Sequence, residues 1–155
     1  MKLNDVRGRS VQLDPIAYES TDRSRAPDWV VVEGTADGAE GRWRFRGAVL
    51  LPVDCAELSD WLDDAATGSV GVTRVDEDPS LTFAEPSLAF GVASYYSQST
   101  RIRVHLTHGF GPPWLDPDEL SNTYSYFVEL SLAPDDLRTA SAVWRRQSSA
   151  FPERR

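Results

Sequence analysis

His105 and His108 are the only histidines in the chain, and with Asp116 and Asp118 nearby they form the one combination of residue types that could hold a metal ion. The spacing argues against it. Residues three apart in a strand point to opposite faces, so a shared ion requires His108 to have left the strand already. No serine stands in a G-x-S-x-G elbow and neither histidine has an identifiable carboxylate to orient it, so nucleophilic hydrolysis lacks its parts. The paired acids Asp63-Asp64 and Asp116-Asp118 fall in polar stretches where nothing raises a pKa, which suits solvated surface better than acid and base work. No catalytic residue, cofactor site or metal site follows.

Charge carries more information than any catalytic pattern. The 24 acids and 16 bases give a net charge of -8 at pH 7. Residues 54 to 85 hold nine of the acids and a single base, Arg74, and the remainder of the chain is balanced. Such a surface repels nucleic acid and favours cationic partners through faster, more selective association. Arg42, Arg44 and Arg46 form a basic row on one face of a strand, and Arg101, Arg103 and His105 form another. With no nucleic-acid motif beside them, cross-strand pairing with Glu33, Glu40 or Glu129 is the expected role of these bases. Cys55 is the only cysteine and falls on an apolar helix face, as a small buried hydrophobe in a reducing compartment would. The first residues, Met1 to Arg7, carry scattered charge and no apolar run, and no membrane span is visible, so the expected location is the cytoplasm.

The elements that position these residues follow from hydrophobic periodicity. The stretch from Asp28 to Leu62 reads as a β-hairpin feeding a helix, with Trp29 to Val32 and Trp43 to Arg46 as strands and Asp37-Gly38 at the turn. Asp54 is the expected N-cap of the helix, with Glu57 completing a capping box and Val53 and Leu58 a hydrophobic staple. Cys55, Leu58, Trp61, Leu62 and Ala65 line its apolar face, Gly68 ends it, and the hairpin's apolar face is its expected seat. Residues 9 to 19 form a first strand that Pro15 confines to a sheet edge or a bulge. Residues 20 to 27 are a polar loop, and residues 69 to 79 are a short strand or an ordered loop.

Leu81 and Phe83 begin a short strand, residues 88 to 96 another, and Arg101 to Thr107 a half-buried one with Ile102, Val104 and Leu106 inward. A long connection from Gly109 to Asn122 has Trp114 as its expected anchor, and Tyr124 to Leu132 alternates cleanly as the last strand. A second helix starts at Pro134, with Asp135 and Asp136 complementing its dipole, Leu132 and Leu137 as its staple, and Leu137, Ala140, Ser141, Trp144 and Phe151 as its buried stripe. Residues 1 to 155 therefore read as one α+β domain, a mainly antiparallel sheet of about six or seven strands carrying two helices.

In this order, the chain resembles the WapI-type immunity proteins, which protect bacteria from the toxic C-terminal domains of secreted or contact-dependent polymorphic toxins. The resemblance rests on Asp28 to Gly34, Trp43-Arg44-Phe45 with Leu50-Leu51, Glu57-Leu58 with Trp61-Leu62, Gly111-Pro112-Pro113-Trp114, and Leu130 to Leu137, spanning residues 9 to 151. Ala133 stands where relatives commonly place an N-cap serine, a difference of about 1 kcal/mol in capping. The resemblance implies a cytoplasmic, non-enzymatic binder of a toxin domain, without cofactor. The competing reading is a small ligand-binding or housekeeping domain with no toxin partner. A nuclease toxin must be basic to engage phosphates, so its expected contact is the acidic segment: Asp60, Asp63 and Asp64 late in the first helix and Asp76, Glu77 and Asp78 beyond it. These lie in a helix end and a loop, which can vary without disturbing the core.

Overall fold

The computed structural model describes residues 1–154. The fold is α+β, with two four-stranded antiparallel sheets and three helices rather than one sheet and two helices. In the first sheet, β1 (Lys2–Asn4), β2 (Ser10–Tyr18), β3 (Val30–Gly38) and β4 (Gly41–Leu50) lie in chain order. The second holds β5 (Leu81–Thr82), β6 (Leu88–Tyr95), β7 (Thr100–Leu106) and β8 (Phe127–Leu132), also in chain order. Helix α1 (Pro52–Ala66) leaves the first sheet, the four-residue α2 (Pro117–Leu120) interrupts the connection between β7 and β8, and α3 (Pro134–Ser148) follows β8.

The strand β1 comes from the stretch read above only for its charge, and it pairs Leu3 with Val11. The hairpin of β3 and β4 is longer than the two runs that announced it. Asp37 and Gly38 belong to β3, opposite Arg42 and Gly41, and the turn is Ala39-Glu40. The central strand β2 is no edge, but its register shifts between Pro15 and Ala17, beyond the reach of three-residue β1. A bulge there leaves proline's missing N–H without a ladder partner to disappoint. Inward-facing Val11, Leu13, Val32, Ala36, Trp43 and Phe45 supply the first sheet's side of the core. The ring of Phe45 lies over Gly34, where a Cβ would sit 2.3 Å from it, so only glycine fits opposite this phenylalanine.

The first helix begins three residues earlier than expected. Leu51 is the N-cap and Asp54 occupies the third helical position, from which its carboxylate accepts the Leu51 N–H at 2.8 Å. Pro52 at the first turn explains the shift, since it is preorganised for that position and donates nothing. Val53 is consequently 59% exposed and forms no staple. Gly68, at φ 75°, follows the C-cap Thr67. Helix α1 packs chiefly on α3: Trp144 donates its Nε1–H to the Cys55 carbonyl at 2.9 Å and the Ser141 hydroxyl donates to the Ser59 carbonyl at 2.9 Å. The predicted stripe Leu137, Ala140, Ser141 and Trp144 is buried, whereas Phe151 lies past the helix end and packs edge-on to Tyr18 at 5.4 Å.

The strand β8 starts at Phe127; Tyr124 lies outside it with φ 65°. The connection from β7 is anchored by Phe110 and Leu120, which are buried, while Trp114 is 43% exposed and stands edge-on to Trp43. The α1–α3 contact yields a direct test. Trp144→Ala removes a fully buried indole and its hydrogen bond, and urea unfolding should show a loss of about 3–5 kcal/mol.

Candidate partner-binding surface

Strand β7 was expected to be half-buried, with a basic face toward solvent. It is buried on both faces: Arg103 is 8% and His105 6% exposed. Register explains how the outer face is built, with Gly91, Arg103 and Glu129 side by side across β6, β7 and β8, and Ala89, His105 and Phe127 in the adjacent row. Loop 69–79 lies over the first row. A Cβ on Gly91 would sit 3.1 Å from the Thr73 hydroxyl oxygen, so the glycine lets that loop approach the sheet.

The loop is fastened at four points. Arg103 donates to the Thr73 carbonyl at 2.9 Å, and Thr73 donates its N–H to the Val92 carbonyl at 3.0 Å. Tyr95 accepts the Val70 N–H and donates its hydroxyl to the Val70 carbonyl at 2.7 Å. Val72 makes an isolated parallel bridge with Val92, which settles the segment as an ordered loop with one bridge rather than a strand. Arg74, Asp76 and Glu77 then close a compact turn. The Arg74 guanidinium lies 3.3 Å from Asp76 and 3.5 Å from Glu77, and the Glu77 carboxylate accepts the Arg74 N–H at 2.8 Å. Just before these acids in the chain, Val72 and Val75 are 52% and 68% exposed.

Five of the six acids expected to meet a partner fall into two groups by their neighbours, and Asp64 stands apart from both. Asp60 and Asp63 face α3, sharing Arg145 at 3.3 and 3.2 Å. Asp76, Glu77 and Asp78 border a cleft of about 380 Å³ with Asn122, Thr123, Tyr124 and Ser125 on its other side. Asp64 and Asp78 are exposed and make no ion pair among the described residues. Six carboxylates against two guanidinium groups leave a surplus of negative charge. The exposed valines of the loop were visible in the sequence as members of the set Val70, Val72 and Val75 amid glycine and acids. Their exposure depends on Arg103 and Tyr95, which lie far along the chain.

His105 fixes the far wall of this cleft. Its Nδ1 lies 2.9 Å from the Tyr124 carbonyl, and its ring packs against Tyr124 and Phe127. Burial pushes the imidazole down to about 4, with the charge of Arg103 acting in the same direction and the Tyr124 hydrogen bond opposing both. Cys55 is a buried free thiol pushed up to about 12, chiefly by burial, so it carries little thiolate chemistry. Among the described residues no group of three metal-ligating side chains occurs, and no helix is long and apolar enough to cross a membrane.

The two basic rows behave differently from one another. Arg101 and Arg103 pair with Glu129 at 3.6 and 3.4 Å, as expected of cross-strand partners. Arg42, Arg44 and Arg46 are exposed and make no ion pair among the described residues, although Asp37 and Glu33 stand opposite Arg42 and Arg46. Glu40 instead accepts the Trp114 indole N–H at 3.3 Å.

Compared with known families, residues 2–152 match the Immunity protein WapI-like family. No curated protein matches the chain.

The buried imidazole sets a pH dependence. With a folded pKa near 4 against 6.5 unfolded, only the unfolded chain takes up the proton between these values, so stability falls as pH drops from 6.5 to 4. The His105 contribution to that loss is roughly 3 kcal/mol. His105→Gln should therefore show a correspondingly shallower decline of unfolding free energy over this window, measured by denaturant titration at each pH.

Proposed function

The chain belongs to the WapI-like immunity protein family, and we propose that it acts in the cytoplasm by binding the C-terminal domain of a secreted polymorphic toxin, a basic nuclease, and blocking its active site. The surface proposed for this contact comprises Asp60, Asp63, Asp64, Asp76, Glu77 and Asp78. The observation that supports it most is the construction of loop 69–79, where exposed Val72 and Val75 stand next to the exposed run Asp76, Glu77 and Asp78 on a backbone fastened to the second sheet. An interface needs apolar area to exclude water and charge to steer the encounter, and this loop supplies both. Fastening the loop before the partner arrives lowers the ordering cost of binding.

The chain acts as a binder rather than an enzyme in this reading. Blockade follows from occupancy, because a carboxylate surface seated where the toxin holds phosphates competes for the same cationic side chains. Asp60 and Asp63 are partly neutralised by Arg145, so the free charge of Asp64 and Asp78 and the exposed turn at Asp76 and Glu77 carry most of the steering.

The test changes Asp63, Asp64, Asp76, Glu77 and Asp78 to Asn or Gln and measures association with the cognate toxin domain at low and high salt, with circular dichroism to confirm the fold. The on-rate at low salt should drop by about tenfold or more and its salt dependence should flatten. Unchanged on-rate, affinity and salt slope would remove this segment from the interface.

A further inference from the structure

The strand β4 is a free sheet edge. It pairs only with β3, and among the described residues no backbone hydrogen bond leaves residues 41–50 for any other partner. The alternate N–H and C=O groups that β4 points away from β3 therefore have no backbone partner; Gly41 lies against Trp114, Gly47 against Phe110, and Val49 and Leu50 are buried, so the open stretch of this ten-residue strand is centred on Arg42 to Arg46. Beside that edge runs a cleft of about 520 Å³, with Arg44 on the strand side and His108, Gly109, Pro112 and Leu120 on the other. His108 holds a left-handed backbone at φ 52°, and its buried Nε2 has no hydrogen-bond partner. The edge of β4, without a second strand, thus lies along one side of this cleft, where a segment offering backbone groups would find partners.

Charge selects the occupant. Arg42, Arg44 and Arg46 recur at every second position, all exposed, at the spacing of about 7 Å that alternate side chains of a neighbouring strand share. A second copy of this chain pairing antiparallel through β4 would set arginine against arginine, which is destabilising. We propose that the β4 edge is a strand-addition site for an extended partner segment carrying acidic side chains at alternate positions. Backbone hydrogen bonds to β4 hold the segment, and the arginine row fixes its sign and register. This surface is separate from the acidic one and of opposite charge, so it does not depend on the identity of the partner proposed above.

The probe is a blocked ten-residue peptide alternating glutamate with threonine, set against the same peptide with lysine for glutamate, titrated into the full isotope-labelled chain at low salt. The acidic peptide should shift the amide resonances of residues 41–50 and slow hydrogen exchange of the outward-facing ones, while the lysine peptide leaves both unchanged. Changing Arg42, Arg44 and Arg46 together to Gln should weaken binding by tenfold or more, and Lys2→Gln on the same sheet should not. If the triple variant does not fold, Arg44→Glu alone should weaken the acidic peptide and admit the lysine one. Equal response to both peptides, shifts confined elsewhere, or shifts on β4 without slowed exchange would each overturn strand addition.

Discussion

A guanidinium buried on the outward face of a sheet must find fixed acceptors, because removing one partner from a buried charge costs about 3–5 kcal/mol. Arg103 is such a group. It meets Glu129 from the neighbouring strand, the ring of Phe127 at 5.3 Å and the Thr73 carbonyl from a loop thirty residues upstream. The last of these contacts ties loop 69–79 to the sheet, and Gly91 leaves the space for it. Around that tie the rest of the surface is arranged: Tyr95 fastens the loop's start, the Arg74 turn shapes its tip, and Val72, Val75 and the acids Asp76 to Asp78 remain exposed.

The division of labour between sheets follows from this. In the first sheet the outer face stays in water, and its charges on β4 make no ion pairs among the described residues. In the second sheet the middle of the outer face is covered, with Arg103 held by Glu129 and the Thr73 carbonyl and His105 on the Tyr124 carbonyl. Exposed tips can vary while such anchors are kept, since loop tips tolerate change more readily than sheet faces. The acidic tip and the basic edge also keep opposite charges on different elements, so each can present one sign to an incoming surface.

Much of this was legible in the sequence where periodicity and capping act locally. The stripe Leu137, Ala140, Ser141 and Trp144 falls at helical spacing and is buried, and Ile102, Val104 and Leu106 face inward as their alternation requires. Local signals misled where two competed. Asp54 looks like an N-cap until Pro52 is weighed, and Asp37-Gly38 looks like a turn although Ala39-Glu40 closes the hairpin. The division into two sheets and the burial of Arg103 and His105 were not legible, because alternation reports that one face differs from the other and not whether something distant covers the second. For the same reason the acids of residues 60–78 could be singled out by density, while their division between Arg145 on α3 and the cleft beside Tyr124 needed coordinates.

The central claim is that the fastened acidic loop is where the toxin domain sits. Amide hydrogen exchange of the chain, alone and saturated with its cognate toxin domain, reports this without altering any residue. The account predicts slowed exchange in the complex across Val72 to Asp78 and at the end of α1. Exchange in that segment unchanged by saturating toxin, with protection appearing only elsewhere, would contradict it.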